Sequence, residues 1–370
     1  MAVRQRSVQH PPARVSPKGL AMAAPTPLKV SRRAIIGGGI GTAVVAGLVV
    51  RNQFRHPHRD KTSRPDGRYR RMTLACPHPA HDPVLIVAQR QGIFARYNLD
   101  IRILDGLASG QEALDQLHLG GADAVIAPVL SWLPRLMDGL DARLVGGLQS
   151  GSARLLIARK SPIKRIEDLY RKSIGIPDAS SGPHASADRL FFSVMMRRKG
   201  MDPNRDVNWV QVPPADFGDA LAGRRVQAVV GHDPVIWQVR ESLHLTELAS
   251  STTGSYGTRI VRALGLRADV LKADPAAAVA LVLAIQEAAR TVALHLDVAA
   301  NVLADQLPDM DLAAVERMLH AEGHGVHLIG RELREQVAQY VDELKLIGLI
   351  PDEQDSAKLA RRFCDTVVHA

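Results

Sequence analysis

Side chains able to hold a small charged solute gather in a few short loops, each set just before a run of helical periodicity. Asp178-Ala-Ser-Ser-Gly-Pro-His184 offers the hydroxyls of Ser180 and Ser181, and Gly182, where the backbone can approach a ligand closely. Pro183 suits a first helical turn, which would place His184 in that turn with its ring toward the ligand. His78-Pro-Ala-His-Asp-Pro83 repeats the arrangement. Asp82 reads as an N-cap before a proline at the first helical position, and His81 as a contacting side chain. Ser109-Gly-Gln-Glu112 matches a capping box, so Ser109 and Gly110 would present a hydroxyl and an N–H to the same place. Three further turns, 128–132, 149–152 and 231–234, add Pro128, Trp132, Ser152 and Asp233. The chemistry is capture: a helix start carries unpaired N–H groups and positive dipole, and hydroxyls beside it bind an anion without transforming it.

No reactive constellation accompanies these loops. The chain has no G-x-S-x-G, no H-E-x-x-H, no P-loop and no glycine-rich dinucleotide loop following a strand. His78, His81 and Asp82 have no third His or Cys at ligand spacing, so neither a metal nor a cofactor is expected. The two cysteines, Cys76 and Cys364, are too few for a disulfide scaffold.

The elements that must position the loops occur twice. Residues 72–127 read strand, loop, helix, strand, helix, strand, and residues 173–230 read the same way. In both copies a leucine stands six residues before the first polar residue of the closing strand: Leu117 before Asp123, and Leu221 before Gln227. Two similar α/β lobes leave a cleft between them at the carboxyl ends of their strands, where such sheets bind ligands. Residues 276–370 read as helices near 276–296, 312–321, 330–347 and 354–368, forming a cap on the first lobe, with a surface turn at 323–330 holding His324 and His327.

The net charge of +9 belongs to the amino terminus. Residues 1–71 hold 15 Lys/Arg and 2 Asp/Glu, whereas the rest holds 32 and 36, a balance that disfavours a nucleic-acid surface. Arg32 and Arg33 directly precede Ala34–Val50, an uncharged apolar stretch of 17 residues with five glycines. This resembles a twin-arginine export signal, shorter than the ~20 residues that cross a bilayer upright, although it could also serve as an anchor. Met22 is an alternative start. The sequence thus divides into a signal or anchor (1–51), a disordered basic linker (52–71), lobe one with the C-terminal helices (72–157 and 250–370) and lobe two (158–249).

Pro83-Val-Leu-Ile-Val-Ala-Gln-Arg-Gln-Gly-Ile-Phe94 with Leu99-Asp-Ile101, Ser109-Gly110, Gly121-Ala-Asp123, Ser161-Pro-Ile-Lys-Arg-Ile-Glu-Asp-Leu169, Ala220-Leu-Ala-Gly223 and Asp233-Pro234 together resemble the solute-binding proteins of ABC importers for nitrate, sulfonates, taurine and bicarbonate. The resemblance covers roughly residues 72–300. It implies an α/β, two-lobed periplasmic-binding-protein-like (type II) fold with a helical C-terminal extension. It also implies a non-enzymatic role: capture of a small anionic solute between the 128–132, Ser152 and 180–184 loops, with permease and ATPase subunits as partners. The chain would then act in the periplasm or on the outer face of the membrane, delivered by twin-arginine machinery. Gln227 in place of an aspartate, Ser152 in place of a glutamine and the lack of a lysine among these loops depart from the nitrate-binding pattern and admit a larger organic ligand. A tethered ligand sensor, or a thiamine-pyrimidine-related protein or enzyme of the same fold, is the alternative.

Overall fold

A computed structural model describes residues 69–149 and 151–368. Arg32, Arg33, Met22 and the apolar stretch 34–50 lie outside the described residues. The first strand, β1 (Arg70–Ala75), buries Met72 and Leu74. Asp82 accepts hydrogen bonds from the N–H groups of Val84 and Leu85, and Pro83 opens α1 (Pro83–Arg90). At Gly92 the backbone takes φ +62, a left-handed conformation that glycine adopts without strain. It turns the chain into α2 (Ile93–Arg96) and then β2 (Leu99–Leu104). Ser109 caps α3 (Gly110–His118), which leads to β3 (Ala124–Pro128), α4 (Val129–Met137) and β4 (Ala142–Gln149).

The second lobe contains β5 (Ala153–Ile157), β6 (Lys172–Ile176), α5 (Ala187–Arg198), β7 (Val207–Gln211), α6 (Phe217–Ala222), β8 (Ala228–His232), α7 (Val235–Ser242) and β9 (Thr246–Ser250). The chain then returns to the first lobe through β10 (Arg262–Arg267). There follow α8 (Ala268–Ala273), α9 (Pro275–Leu294), α10 (Leu296–Ala304), α11 (Leu312–Ala321), β11 (Gly325–Leu328), α12 (Gly330–Leu346) and α13 (Ser356–Phe363).

The duplication is visible in the sheets. The first has the order β11-β4-β10-β3-β1-β2 and the second β7-β6-β8-β5-β9. In each, the opening strand lies parallel to its two following partners, β1 between β2 and β3 and β6 between β7 and β8, and an antiparallel strand comes next. Asp123 and Gln227 occupy equivalent places. The Asp123 carboxylate accepts from Thr73 N at 2.8 Å, and the Gln227 amide oxygen accepts from Ser173 N at 2.9 Å. The backbone N–H of each returns the bond, to Thr73 O and Ser173 O. A carboxylate and a carboxamide therefore do the same job, so the Gln227 departure leaves the latch intact. Asp123→Ala should destabilise the fold by about 1 kcal/mol while Asp123→Asn is nearly neutral, a difference that urea unfolding resolves.

Two expectations are corrected here. Ala153–Ile157, expected in lobe one, is hydrogen-bonded between β8 and β9, so lobe two begins before residue 158. An apolar run carries no mark of which sheet will claim it. The stretch 323–330, expected as a surface turn, contains β11, which pairs antiparallel with β4 and forms the edge of the first sheet. Helix α9 is apolar and long enough to cross a membrane, but most of it is buried in the first lobe, beside α1 and α10.

Candidate functional site

The carboxyl ends of six strands meet at one cleft between the lobes. Pro77 and His78 follow β1, Ala108 and Ser109 follow β2, and Pro128 ends β3. From the other side come Ile176 at the end of β6 and Pro177 after it, Pro214 after β7, and Gly231 and His232 at the end of β8. Leu303, Met318, Leu319 and Glu322 from the C-terminal helical region close the back. The space is about 440 Å³. That is in the range of small-molecule sites, and at ~30 Å³ per water it exceeds what a bare inorganic anion needs.

Of the side chains singled out in the sequence, His81, Asp82, Ser109, Gly110, Pro128 and Asp233 line this cleft. Trp132 does not. It is fully buried, donates from Nε1 to Ala263 O at 3.1 Å and packs over Gly265, where an added Cβ would stand 2.5 Å from its ring. Helix α4 starts directly after Pro128, which leaves Ser131 facing the cleft and rotates Trp132 into the core. Ser152 is also fully buried. Its carbonyl accepts from Asp233 N at 2.9 Å, and its hydroxyl has no partner among the described residues, so it belongs to the crossing between the lobes rather than to the cleft wall.

Ser180, Ser181, Gly182 and His184 also lie outside the lining. The helix does not begin at Pro183: residues Gly182–His184 form a separate short turn, and α5 starts at Ala187 under a Ser186 cap. Arg189, one turn into α5, folds its guanidinium back on the carbonyls of Ala179 and Ser180, and Asp178 accepts from Ser180 N at 2.9 Å. The loop is thereby held with Ser180, Ser181 and His184 exposed, and Ser186, Ala187 and Asp188 reach the cleft instead.

Several lining residues escaped the sequence reading. Arg262 on β10 donates to Asp82 at 2.6 Å, with side chains 8% and 1% exposed. His232 stands 3.2 Å from Asp188. Arg154 on β5 does not itself line the cleft, but it holds Asp233 in a buried pair at 2.8 Å and reaches Glu247 at 2.5 Å. Gln111, in the first turn of α3, lines the cleft with both amide atoms buried and without a partner among the described residues. Glu322 lines it with a side chain only 4% exposed. Gln111 had a usable signal, since it lies inside the capping box. Arg262, Arg154 and Glu322 sit among apolar or helical stretches with no local mark.

Among the described residues the lining carries five carboxyl groups (Asp82, Asp178, Asp188, Asp233, Glu322), one guanidinium (Arg262) and no lysine. Burial and the neighbouring His78 ring, stacked at 5.6 Å, lower the pKa of His81, which therefore acts as a neutral hydrogen-bonding group. Burial also acts to lower that of His232, but Asp188 and then Asp233 more than offset it, so its pKa is raised. Burial pushes the Asp233 carboxyl up against the pull of Arg154, with Glu322 raising it further. Burial likewise raises Glu322, against Arg154, His232 and Arg262. Arg154 places two hydrogen bonds on Asp233 and so favours its ionised form, which leaves Glu322 the readier of the two interacting acids to hold a proton.

The NMT1-like family model matches residues 70–305, nearly two thirds of the sequence. This chain belongs to the NMT1-like family. The nitrate/nitrite binding protein NrtA of Synechocystis is 26% identical over 223 residues, covering 55% of the NMT1-like chain and 49% of that protein, so the chain spans about half the length of this curated relative. Among solved structures, the periplasmic aliphatic sulphonate binding protein SsuA from Escherichia coli matches with a TM-score of 0.65 at 16% identity, over 81% of this chain and 93% of that one. The periplasmic nitrate-binding protein NrtA from Synechocystis matches with a TM-score of 0.63 at 16% identity, over 80% and 86%. The fold is the two-lobed periplasmic-binding-protein-like fold with a helical C-terminal region.

Proposed function

We propose that this chain is the exported substrate-binding component of an ABC importer, taking a small solute with an anionic group into the interlobe cleft and delivering it to a permease driven by an ATPase. The observation that carries the reading is the convergence of six strand ends from two duplicated lobes on one solute-sized cleft. The printed roles of the relatives, nitrate/nitrite and aliphatic sulphonate binding, support the anionic group. Its seat is the start of α3. There the first-turn N–H groups of Gly110 and Gln111 have no intrahelical partner, and Ser109, Ser131 and the Gln111 amide stand beside them. Two crossings join the lobes, β4 to β5 and β9 to β10. Rotation about them would close the cleft and desolvate the bound group, strengthening each hydrogen bond to it. The leader with Arg32 and Arg33 takes the chain to the twin-arginine machinery and so to the outer side of the cytoplasmic membrane.

The test is a thermal-shift screen of the full chain against nitrate, bicarbonate, taurine, alkyl- and arylsulfonates and pyrimidines, since a ligand of the native state raises the melting temperature by mass action. No response from any of these, with a cooperative transition, would count against the reading. For a hit, Gln111→Ala should lower affinity roughly 10-fold. Ser180→Ala combined with His184→Ala should leave it within about twofold, because both side chains stand outside the cleft. Titration calorimetry separates the two outcomes.

A further inference from the structure

Resting on that reading for its place outside the cytoplasmic membrane, we infer that lobe two lies against an anionic phospholipid surface by the end of its sheet farthest from the cleft. Residues 151–250 hold 15 Lys/Arg and 11 Asp/Glu, whereas 72–150 together with 251–370 hold 17 and 25. The basic excess is gathered at one end of the lobe. Strands β7 and β8 run parallel to β6, and β5 runs antiparallel to β8, with its last residue, Ile157, opposite Ala228 at the start of β8. Three strand starts and one strand end therefore share one border of the sheet, while Ile176, Pro214 and His232 mark the cleft at the other. Arg159 and Lys160 follow β5, and Arg171 and Lys172 lead into β6. Arg205 precedes β7, and Arg224 and Arg225 precede β8. All seven are exposed, and none forms a salt bridge among the described residues.

The acids at this end are already engaged. Glu167 stands 4.0 Å from Lys199, and Asp168 accepts from the backbone N–H groups of Lys164 and Arg165. Asp202 lies 3.4 Å from Arg197, and Asp206 accepts from Asp202 N. Carboxyl groups gather instead at the cleft end, where Asp178 and Asp188 line the cavity and Asp216 follows Pro214 in the same exposed turn. The lobe thus has a positive and a negative end, separated by strands of five residues, about 16 Å. An anionic surface draws the first end and repels the second, which orients the molecule as well as attracting it. The cations are spread along the ends of four adjacent strands, about 15 Å across. A broad row of turn tips suits a surface better than a single extended segment. Each cation brought close to an anionic bilayer strengthens binding roughly fivefold. Tyr170 is 48% exposed in the same row, with the Arg171 guanidinium carbon 5.2 Å from the centre of its ring, and tyrosine is enriched at lipid headgroup level. A chain held this way points its cleft end away from the lipid and toward the solution.

The experiment reads the two ends of lobe two separately in the full chain, so that binding through any other segment is not mistaken for it. An environment-sensitive dye is placed on Asn204→Cys at the basic end, or on Ala215→Cys at the cleft end; both positions are exposed, and the native cysteines are buried. Vesicles of phosphatidylcholine with phosphatidylglycerol should shift the emission of the dye at 204 and leave that at 215 unchanged, whereas pure phosphatidylcholine should shift neither. Replacing one cation at each strand end (Arg159→Gln, Lys172→Gln, Arg205→Gln, Arg225→Gln) should raise the lipid concentration for half-maximal shift at least 10-fold, as should a rise from about 0.05 to about 0.5 M salt. The melting temperature should stay within about 2 °C, since all four side chains are exposed and without a salt bridge. A silent dye at 204, an equal response at both positions, or an unchanged midpoint in the fourfold variant would each overturn the surface. A shift at 204 with poly-glutamate or duplex DNA but not with the vesicles would overturn the lipid partner in favour of an acidic polypeptide or a nucleic acid. A vesicle response restricted to 204, together with a silent solute screen, would retain the surface and count against the solute-binding reading.

Discussion

Arg154→Met should cost the protein about 3–5 kcal/mol, a large part of the 5–15 kcal/mol that holds a domain together. Arg154 is 2% exposed and sits on β5, between β8 and β9 in the second lobe's sheet. Its Nε donates to both Asp233 oxygens, at 3.1 and 2.9 Å, Nη2 lies 2.8 Å from Asp233 Oδ2, and Nη1 reaches Glu247. Its guanidinium carbon also lies 4.9 Å from the centre of the Trp237 ring. Methionine fills similar volume, so packing changes little, but the Asp233 carboxylate would be left fully buried with no cation in contact. The loss therefore measures an abandoned charge rather than a missing contact. Arg154→Met with Asp233→Asn should recover more than half of it, since a buried pair replaced as a pair is often nearly neutral. Urea unfolding of the two variants decides the matter. A single variant within 1 kcal/mol of wild type would mean that Asp233 rather than Glu322 holds the proton in the native state.

The same pair shows why some of the site was legible and some was not. Asp233 stands before a proline at the end of a strand, and that local rule is enough to place it in a turn at the cleft. Its partner is 79 positions away on a strand whose sequence, Ala-Arg-Leu-Leu-Ile, is otherwise wholly apolar and carries no local mark of the pairing. Capping rules succeeded for the same reason. Asp82 and Ser109 act within three residues of themselves, and both are caps in the structure. The Asp178–His184 loop failed where a local rule met a distant one. Proline at the first helical position predicted a helix start, but Arg189 and Ser186 moved that start downstream and turned the loop outward. Trp132 failed by a single step of helical phase, which a boundary error of one residue is enough to reverse.

The duplication was readable because each lobe repeats its pattern within about sixty residues, and Asp123 and Gln227 mark equivalent points in the two copies. The back of the cleft was not. Glu322 follows helix α11 some 90 residues beyond the second copy, where a charged residue at a helix end is most often solvated. Only the return of the chain to the first lobe through β10 brings that region behind the cleft. Two lobes could be inferred from periodicity, whereas Arg262 and Glu322, which add to the charge of the space between them, come from the polypeptide after both copies of the pattern.

Asp82→Ala should destabilise the protein by roughly as much as Arg154→Met, about 3–5 kcal/mol from the buried pair and about 1 kcal/mol from the lost cap. The sequence presented Asp82 as a cap and a ligand contact, and the structure keeps the cap and adds one further duty, the pair with Arg262. One oxygen takes the N–H groups of Val84 and Leu85 at 2.9 and 3.1 Å, and the other takes Arg262 at 2.6 Å. The Cys76 thiol lies 3.7 Å away; burial first and Asp82 second hold its pKa well above the usual value, so it remains a neutral neighbour. Asp82→Asn separates the duties. Its amide oxygen can still cap α1, but it offers Arg262 no charge, so it should recover about 1 kcal/mol relative to alanine and no more. Differential scanning calorimetry should therefore rank wild type above asparagine and asparagine above alanine. Should asparagine match wild type, Arg262 would be satisfied without the carboxylate, and Asp82 would be free to serve the ligand after all.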